Sequence, residues 1–354
     1  MRIVIFGLTI SSSWGNGHAT LWRGLCAGLE RQGHNVIFFE KDVPYYAGHR
    51  DLEADQPYKV VLYQSWKDER DLVQTALGGC DAAIITSYCP DAVAACDAIF
   101  DAPIPLRVFY DLDSPVTIER LRRGERVEYL PANGLGDFDL VLSYAGGSIL
   151  NELQSRLGAK RVAPLYGSVD PQVHHPADTR PRYQSDLSYL GTYSPNRQGI
   201  LEQLFIEPAR RSPDKRFLIG GALYPNDFPW KENIYFVRHV PPAEHPAFYS
   251  SSRLTLNVTR GPMAQSGYCP SGRLFEAAAC GTAVVSDTWE GIEDFFVPGK
   301  EILLANTPAE MEEILKFDNA ELRNIGRAAR ERVMADHTAE RRSQQFTELL
   351  EAAA

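Results

Sequence analysis

Cys269-Pro270-Ser271-Gly272-Arg273-Leu274-Phe275-Glu276-Ala277-Ala278-Ala279-Cys280-Gly281 runs directly into Thr282-Ala283-Val284-Val285-Ser286. The order of residue types predicts a loop, a short helix opening at Ser271, a stop at Gly281 and then a buried strand, because Pro and Ser favour helix starts and Gly favours helix ends. A helix start presents unpartnered backbone N–H groups and positive dipole character, so an anion is favoured there, and Gly272 brings no side chain to obstruct it. Arg273 and Glu276 stand three apart, on one helical face. A guanidinium that forks onto phosphate would thus sit one turn ahead of a carboxylate able to accept from two sugar hydroxyls. The same spacing also fits an exposed Arg–Glu pair on an ordinary helix, a common and weak arrangement.

The flanking sequence shifts the balance towards a phosphate site. Leu187 to Leu190, Phe217 to Ile219, Ile234 to Val237, Leu254 to Val258, Ala283 to Ser286 and Ile302 to Leu304 are apolar runs that predict strands, with helical stretches between them. Such alternation implies a parallel sheet covered on both faces, with its ligand edge at the carboxyl ends of the strands. Gly191-Thr192 falls at one such end, where backbone amides can approach a phosphate. Arg197, Arg260 and Arg273 each follow a strand or open a helix. Singly each reads as a surface arginine; as a group they could neutralise a diphosphate without a metal. Thr307-Pro308-Ala309-Glu310 and Asp318-Asn319-Ala320-Glu321 are capping-box starts, and Thr338 to Leu350 is amphipathic after a break at Asp336-His337-Thr338.

The first half shows the same alternation. Strands are predicted at Ile3 to Leu8, Asn35 to Phe39, Tyr58 to Tyr63, Ala82 to Thr86, Leu106 to Tyr110, Leu140 to Tyr144 and Val162 to Leu165. Helices are predicted over Thr20 to Gln32 and near 69–77, 91–99, 115–123 and 148–157. Ser11-Ser12-Ser13-Trp14-Gly15-Asn16-Gly17-His18 is long for a strand-to-helix connection, and long loops in compact domains are more often functional than accidental. His18 fits a general base or a hydrogen-bonding partner of a transferring group, and equally a helix-capping or solvent-facing histidine. Asp111 and Asp113 end an apolar strand and precede Ser114-Pro115, so one carboxylate is expected to face the ligand edge while the other caps the helix. Asp113 is the expected cap, which leaves Asp111 as the first choice for a base, although both could serve the turn alone.

Composition narrows the function classes. The chain has 354 residues and a formal net charge of -10, which argues against a nucleic-acid partner because no basic face is available to neutralise phosphates. The six cysteines form no Cys-x-x-Cys pair and read as small buried side chains. The N-terminus reads as a first strand and not as a signal peptide, and no stretch approaches the roughly 20 apolar residues of a membrane span, so a cytoplasmic location is expected. Pro164 to Pro176 is dense in Pro and Gly and marks a domain boundary. Its His174 and His175 are adjacent, a spacing that does not suit a shared metal, and no metal site is expected.

The Arg273 to Glu276 segment resembles the nucleotide-sugar site of GT-B glycosyltransferases, whose Glu-Ala-hydrophobic-Ala-x-Gly segment opens the following strand. Nearer still, Tyr189-Leu190-Gly191-Thr192-Tyr193-Ser194-Pro195-Asn196-Arg197 together with Arg273 to Glu276 resembles the family related to spore-maturation protein CgeB. The resemblance covers most of residues 186 to 305; before that, architecture matches better than any motif. It implies an α/β protein of two Rossmann-like domains facing across a cleft. Residues 1–168, joined by a returning C-terminal helix at 338–354, would form the acceptor domain, and residues 177–335 the nucleotide-sugar domain. It further implies transfer of a sugar from a nucleotide diphosphate sugar to an acceptor that the sequence does not identify, with no cofactor beyond the donor. Glu276 would bind the ribose hydroxyls; Ser271, Gly272 and Arg273 the diphosphate, helped by Gly191, Thr192, Arg197 and Arg260; backbone atoms of His239-Val240-Pro241 the base. The Ser11 to His18 loop resembles the acceptor-side glycine loop of these enzymes. Retaining members carry a second acidic residue eight positions before the ribose glutamate, a position occupied here by Tyr268, so the stereochemical outcome stays open. A nucleotide-sugar epimerase of the same architecture and a non-catalytic nucleotide-sugar-binding protein are the alternatives.

Overall fold

Strands buried on both faces of a parallel sheet carry apolar side chains on both sides, and the runs Ile3-Val4-Ile5-Phe6, Ala82-Ala83-Ile84-Ile85 and Leu254-Thr255-Leu256 have this character. The computed structural model describes residues 1–354 and places these runs in two parallel sheets. The chain divides into two compact units, Met1–Tyr166 with Ala339–Ala354, and Gly167–Thr338.

In the first unit, β1 (Arg2–Gly7), β2 (Asn35–Lys41), β3 (Lys59–Tyr63), β4 (Ala82–Thr86), β5 (Leu106–Asp111), β6 (Leu140–Ser143) and β7 (Val162–Pro164) form one sheet in the order β3-β2-β1-β4-β5-β6-β7. The strand order reverses between β1 and β4, where Ile3 pairs with Ala82 and Phe6 with Ile85. Ligands bind at such a switch point, outside the carboxyl ends of the strands. On the face covered by the helix His18–Arg31, Trp22 is fully buried, with its ring 5.6 Å from Phe38 and 5.7 Å from Tyr110. The helix begins two residues earlier than the periodicity predicts. The cause is Asn16, whose side-chain oxygen accepts from the backbone N–H of His18 and of Ala19 at 3.1 and 3.2 Å, occupying two donors that a helix start leaves free.

The last helix, Ala339–Ala353, packs on the helix His18–Arg31. Phe346 and Leu350 enter the first unit's core at zero exposure. Gly28 makes the close approach possible: a Cβ there would stand 2.6 Å from Ser343 Oγ and 3.1 Å from the Ala339 carbonyl oxygen. Gln32 donates to Ser343 Oγ at 2.6 Å across the same seam.

In the second unit, β8 (Leu187–Leu190), β9 (Phe217–Gly221), β10 (Ile234–Arg238), β11 (Leu254–Asn257), β12 (Ala283–Ser286) and β13 (Leu303–Leu304) form a parallel sheet in the order β10-β9-β8-β11-β12-β13. Its switch point lies between β8 and β11. Helical backbone continues from Pro195 to Arg211, with a wider π turn over Glu202–Ile206. Pro208 explains the widening, since it donates no hydrogen bond and would crowd the carbonyl four residues back in a regular helix. Both expected capping boxes are present, at Thr307 with Glu310 and at Asp318 with Glu321. All six cysteines are buried, and none forms a disulfide. No helix is long and apolar enough to cross a membrane.

Truncating Phe346 to Ala removes a fully buried ring that only the returning helix supplies. The expected cost is about 3–5 kcal/mol, seen in scanning calorimetry as a fall of the first unit's transition by roughly 10 °C. A transition temperature equal to wild type would contradict the packing.

Candidate functional site

Each unit carries candidate residues at its own switch point. In the first unit, the connection from β1 to the helix His18–Arg31 is held from below by Glu40 of β2. Its buried carboxylate accepts from the backbone N–H of Ile10 (2.7 Å) and Ser11 (2.9 Å) and from the hydroxyls of Thr9 (2.9 Å) and Ser11 (2.6 Å). Further along, Arg23 donates to the Ile10 carbonyl at 2.8 Å and to Asp51 at 2.6 Å, and Asp51 accepts from the Ser13 N–H at 3.0 Å. Burial raises the Asp51 carboxyl, but the hydrogen bonds from Arg23 and Ser13 outweigh it and hold the group below the usual carboxylate range. A charge that ends an otherwise apolar strand, as Glu40 ends Val36-Ile37-Phe38-Phe39, is the sequence signal that could have revealed this support.

The loop delivers His18 to the first position of its helix. Its Nε2 lies 4.0 Å from Asp113 Oδ2, and its ring centroid 5.8 Å from that of Tyr88. Tyr88 follows β4 with φ +63°, a left-handed conformation that non-glycine residues adopt mainly where surrounding structure imposes it. The structure therefore brings His18 and Asp113 together at the switch point of the first sheet.

It also places the two aspartates otherwise than expected. Asp113 occupies the N-cap position of the helix Ser114–Arg122, yet its side chain makes no capping hydrogen bond; it faces His18 instead. Asp111, the expected base, is wholly buried and shapes the turn by accepting from the Asp113 N–H at 3.0 Å. It ends β5 opposite Ser143 of β6, in a strand whose residues Val108 to Asp111 are all buried. Burial pushes the Asp111 carboxyl up to about 6, against the lowering effect of hydrogen bonds from Thr117 and the Asp113 backbone.

In the second unit, Gly191 and Thr192 follow β8, and Arg197 lies in the helix Pro195–Leu201. Arg197 donates to the Thr192 carbonyl at 3.3 Å, while its Nε is buried without a hydrogen-bond partner. Burial lowers the affinity of Arg197 for its proton, and the positive charges of Arg273 and Arg260 lower it further. The three arginines thus share one neighbourhood. Arg273 stands over the Tyr189 ring at 5.4 Å and donates to Asn257 Oδ1 at 3.4 Å. A Cβ on Gly191 would meet the Tyr189 hydroxyl at 2.8 Å and Arg273 Nη2 at 3.1 Å, so glycine is needed there to admit the guanidinium. The helix Gly272–Ala279 begins after Ser271, whose backbone takes the N-cap position without a side-chain cap; Glu276 follows one turn on.

Several supporting residues lie outside the sequence reading. Asp287, after β12, accepts from the Thr259 N–H at 2.8 Å and hydroxyl at 3.0 Å, which fixes the backbone immediately before Arg260. Burial raises its carboxyl. Asn257 donates to Ser286 Oγ at 3.0 Å while accepting from Arg273, and the Tyr224 hydroxyl donates to the Gly191 carbonyl at 3.0 Å. His239 adopts φ +50° after β10, and its N–H donates to the Gly221 carbonyl at 2.8 Å. Glu290 and Glu293 are exposed; the backbone carbonyl of Glu290 accepts from the Tyr268 N–H at 2.7 Å.

Residues 197–348 match a family model described as "Glycosyl transferase-like". Among solved structures, the chain is similar to a sucrose-phosphate synthase from Thermosynechococcus elongatus, with TM-score 0.71, 16% identity and 100% of both chains covered. It is similar to HepE of Anabaena in complex with UDP and glucose, with TM-score 0.69 and 17% identity over 99% of this chain and 100% of that one. It is also similar to an α-glucosyltransferase in complex with UDP-glucose and DNA containing an abasic site, with TM-score 0.68 and 14% identity over 99% of both chains. No curated protein matches the chain by sequence. The fold is the two-domain GT-B fold of these structures, and the glycosyl transferase-like match lies in residues 197–348.

The raised Asp111 carboxyl predicts a pH dependence. An unfolded aspartate titrates near 3.8 and the folded one at about 6, so stability falls as pH rises through that window and the penalty is complete above it. Asp111→Asn keeps an acceptor for the Asp113 N–H and cannot ionise. It should unfold at higher temperature than wild type at pH 8, by at most about 3 kcal/mol of stability, with the gain absent at pH 4. Calorimetry showing the same difference at both pH values would contradict this.

Proposed function

We propose that the protein transfers a sugar from a UDP-sugar to a hydroxyl-bearing acceptor, with the donor bound by the second unit and the acceptor deprotonated by the first. The observation that carries this reading is the buried Arg197, whose hold on its proton is weakened first by burial and then by the positive charges of Arg273 and Arg260, with Arg273 set against Gly191 at the strand end. A diphosphate supplies that charge, and Arg forks suit its oxygens. Glu276, one turn along the helix from Arg273, accepts from the ribose hydroxyls. UDP is favoured as the nucleotide because HepE and the α-glucosyltransferase are described with UDP or UDP-glucose bound. The arginine cluster takes the place of a divalent metal at the diphosphate. The motif spanning Tyr189 to Arg197 supports the finer assignment to CgeB-like transferases.

His18 serves as the base. It opens its helix with Nε2 4.0 Å from Asp113 Oδ2, so that Asp113 stabilises the imidazolium formed when His18 takes the acceptor's proton. Asp111 acts through the turn that aims Asp113. The match to transferases favours this reading over an epimerase, which would consume donor without an acceptor.

Titration calorimetry with UDP should show Arg273→Ala and Glu276→Ala each weakening binding roughly tenfold or more, the scale of a lost charge-assisted hydrogen bond. Unchanged affinity in both folded variants would remove the donor site from this helix. Turnover followed as UDP release should fall about a hundredfold in His18→Ala and Asp113→Asn with UDP affinity kept. Release that EDTA abolishes and Mg2+ restores would overturn the arginine-only account of the diphosphate.

A further inference from the structure

His174, His245 and Glu276 come from three separate segments of the second unit, and each directs one ligating atom to a common point, all three atoms lying within 4.8 Å of one another. His174 is 3% exposed, and neither of its ring nitrogens has a hydrogen-bond partner. His245 sets its Nε2 3.1 Å from the Val240 carbonyl, which fixes that nitrogen as the donor and leaves Nδ1 with its lone pair, 4.0 Å from Glu276 Oε2. This is the tautomer arrangement of a metal-bound histidine, whose second nitrogen donates to a backbone carbonyl. Burial lowers the His174 and His245 imidazoles to about 4, so both are neutral at physiological pH with lone pairs available. Leaving a buried polar group unmet is unfavourable, and coordination removes that cost. His175, by contrast, is exposed and hydrogen-bonds the Pro176 carbonyl at 3.0 Å; the adjacent pair in sequence does not share a role.

We propose that His174, His245 and Glu276 form a binding site for a zinc-class divalent ion, taken up in competition with the nucleotide. Two imidazoles and one carboxylate suit zinc and its late transition-metal neighbours, whereas magnesium and calcium prefer oxygen-only sets. Bonds of about 2.0–2.2 Å draw the three atoms inward by roughly 1 Å, a movement available to the partly exposed side chains of Glu276 and His245. Three protein ligands leave a fourth position for water or a ligand oxygen. The competition rests on the ribose role proposed for Glu276; uptake of the ion does not.

Chelator-treated full-length protein titrated with zinc chloride should take up one ion, and magnesium chloride should give no heat at the same concentrations. His174→Phe and His245→Gln should each weaken zinc uptake roughly a hundredfold. Cobalt(II) should give the intense visible bands of a four-coordinate site in wild type and lose them in either variant. Saturating zinc should raise the apparent Kd of UDP. The site is overturned if wild type takes up no zinc, if both folded variants bind it as wild type does, or if cobalt shows only a weak six-coordinate spectrum. UDP affinity indifferent to saturating zinc overturns the competition. Wild type that takes up zinc in the expected way but fails to bind UDP would support the metal site while refuting the donor-site reading.

Discussion

Like charges held close together at the ends of β8 and β11 are the constraint that the second unit is built to withstand. Arg197 is drawn below its ordinary basicity first by burial and then by Arg273 and Arg260, and a flexible chain would separate the three. The framework prevents that. Gly191 lets Arg273 approach, the Tyr224 hydroxyl holds the Gly191 carbonyl, and Asp287 pins the backbone ahead of Arg260. Such preorganisation spends folding stability so that an incoming anion meets donors already in place.

The first unit solves a similar problem with the opposite charge. One buried carboxylate, Glu40, gathers two backbone amides and two hydroxyls of the connection that ends at His18. A long polar loop would otherwise sample many conformations, and four hydrogen bonds to a single ionised group remove that freedom near its start. Asn16 completes the device by capping the helix whose first residue is His18. Both units thus fix the backbone that carries their candidate side chains by hydrogen bonds at a strand end.

Much of this was legible in the sequence because parallel sheets write continuous apolar runs into their strands. The strands and the strand-end residues Gly191, Arg197, Arg260 and Arg273 could be read in that way. Two kinds of information could not. The placement of Asp111 and Asp113 depends on the turn that follows β5, in which Asp111 accepts from the Asp113 N–H while Asp113 lies beside His18, and two acidic residues separated by one position do not encode that turn. The meeting of His174 with His245 and Glu276 joins segments about 70 and 30 residues apart, and adjacency with His175 pointed away from it. Supports such as Glu40 and Asp287 are single acidic residues at the ends of apolar strands, a pattern easily passed over as an ordinary strand terminus.

The return of Ala339–Ala353 to the first unit has a consequence for the order in which this protein is made. Residues 167–338 form an insertion between two parts of one core, because Phe346 and Leu350 complete what Trp22 and Leu25 begin. At ribosomal rates of about 5–20 residues per second, the inserted segment takes on the order of 10 to 30 s to synthesise. During that interval the apolar side of the helix His18–Arg31 stands without its cover. The nascent chain is therefore most exposed to aggregation after its first sheet has emerged, and protection is needed longest by the part that is made first.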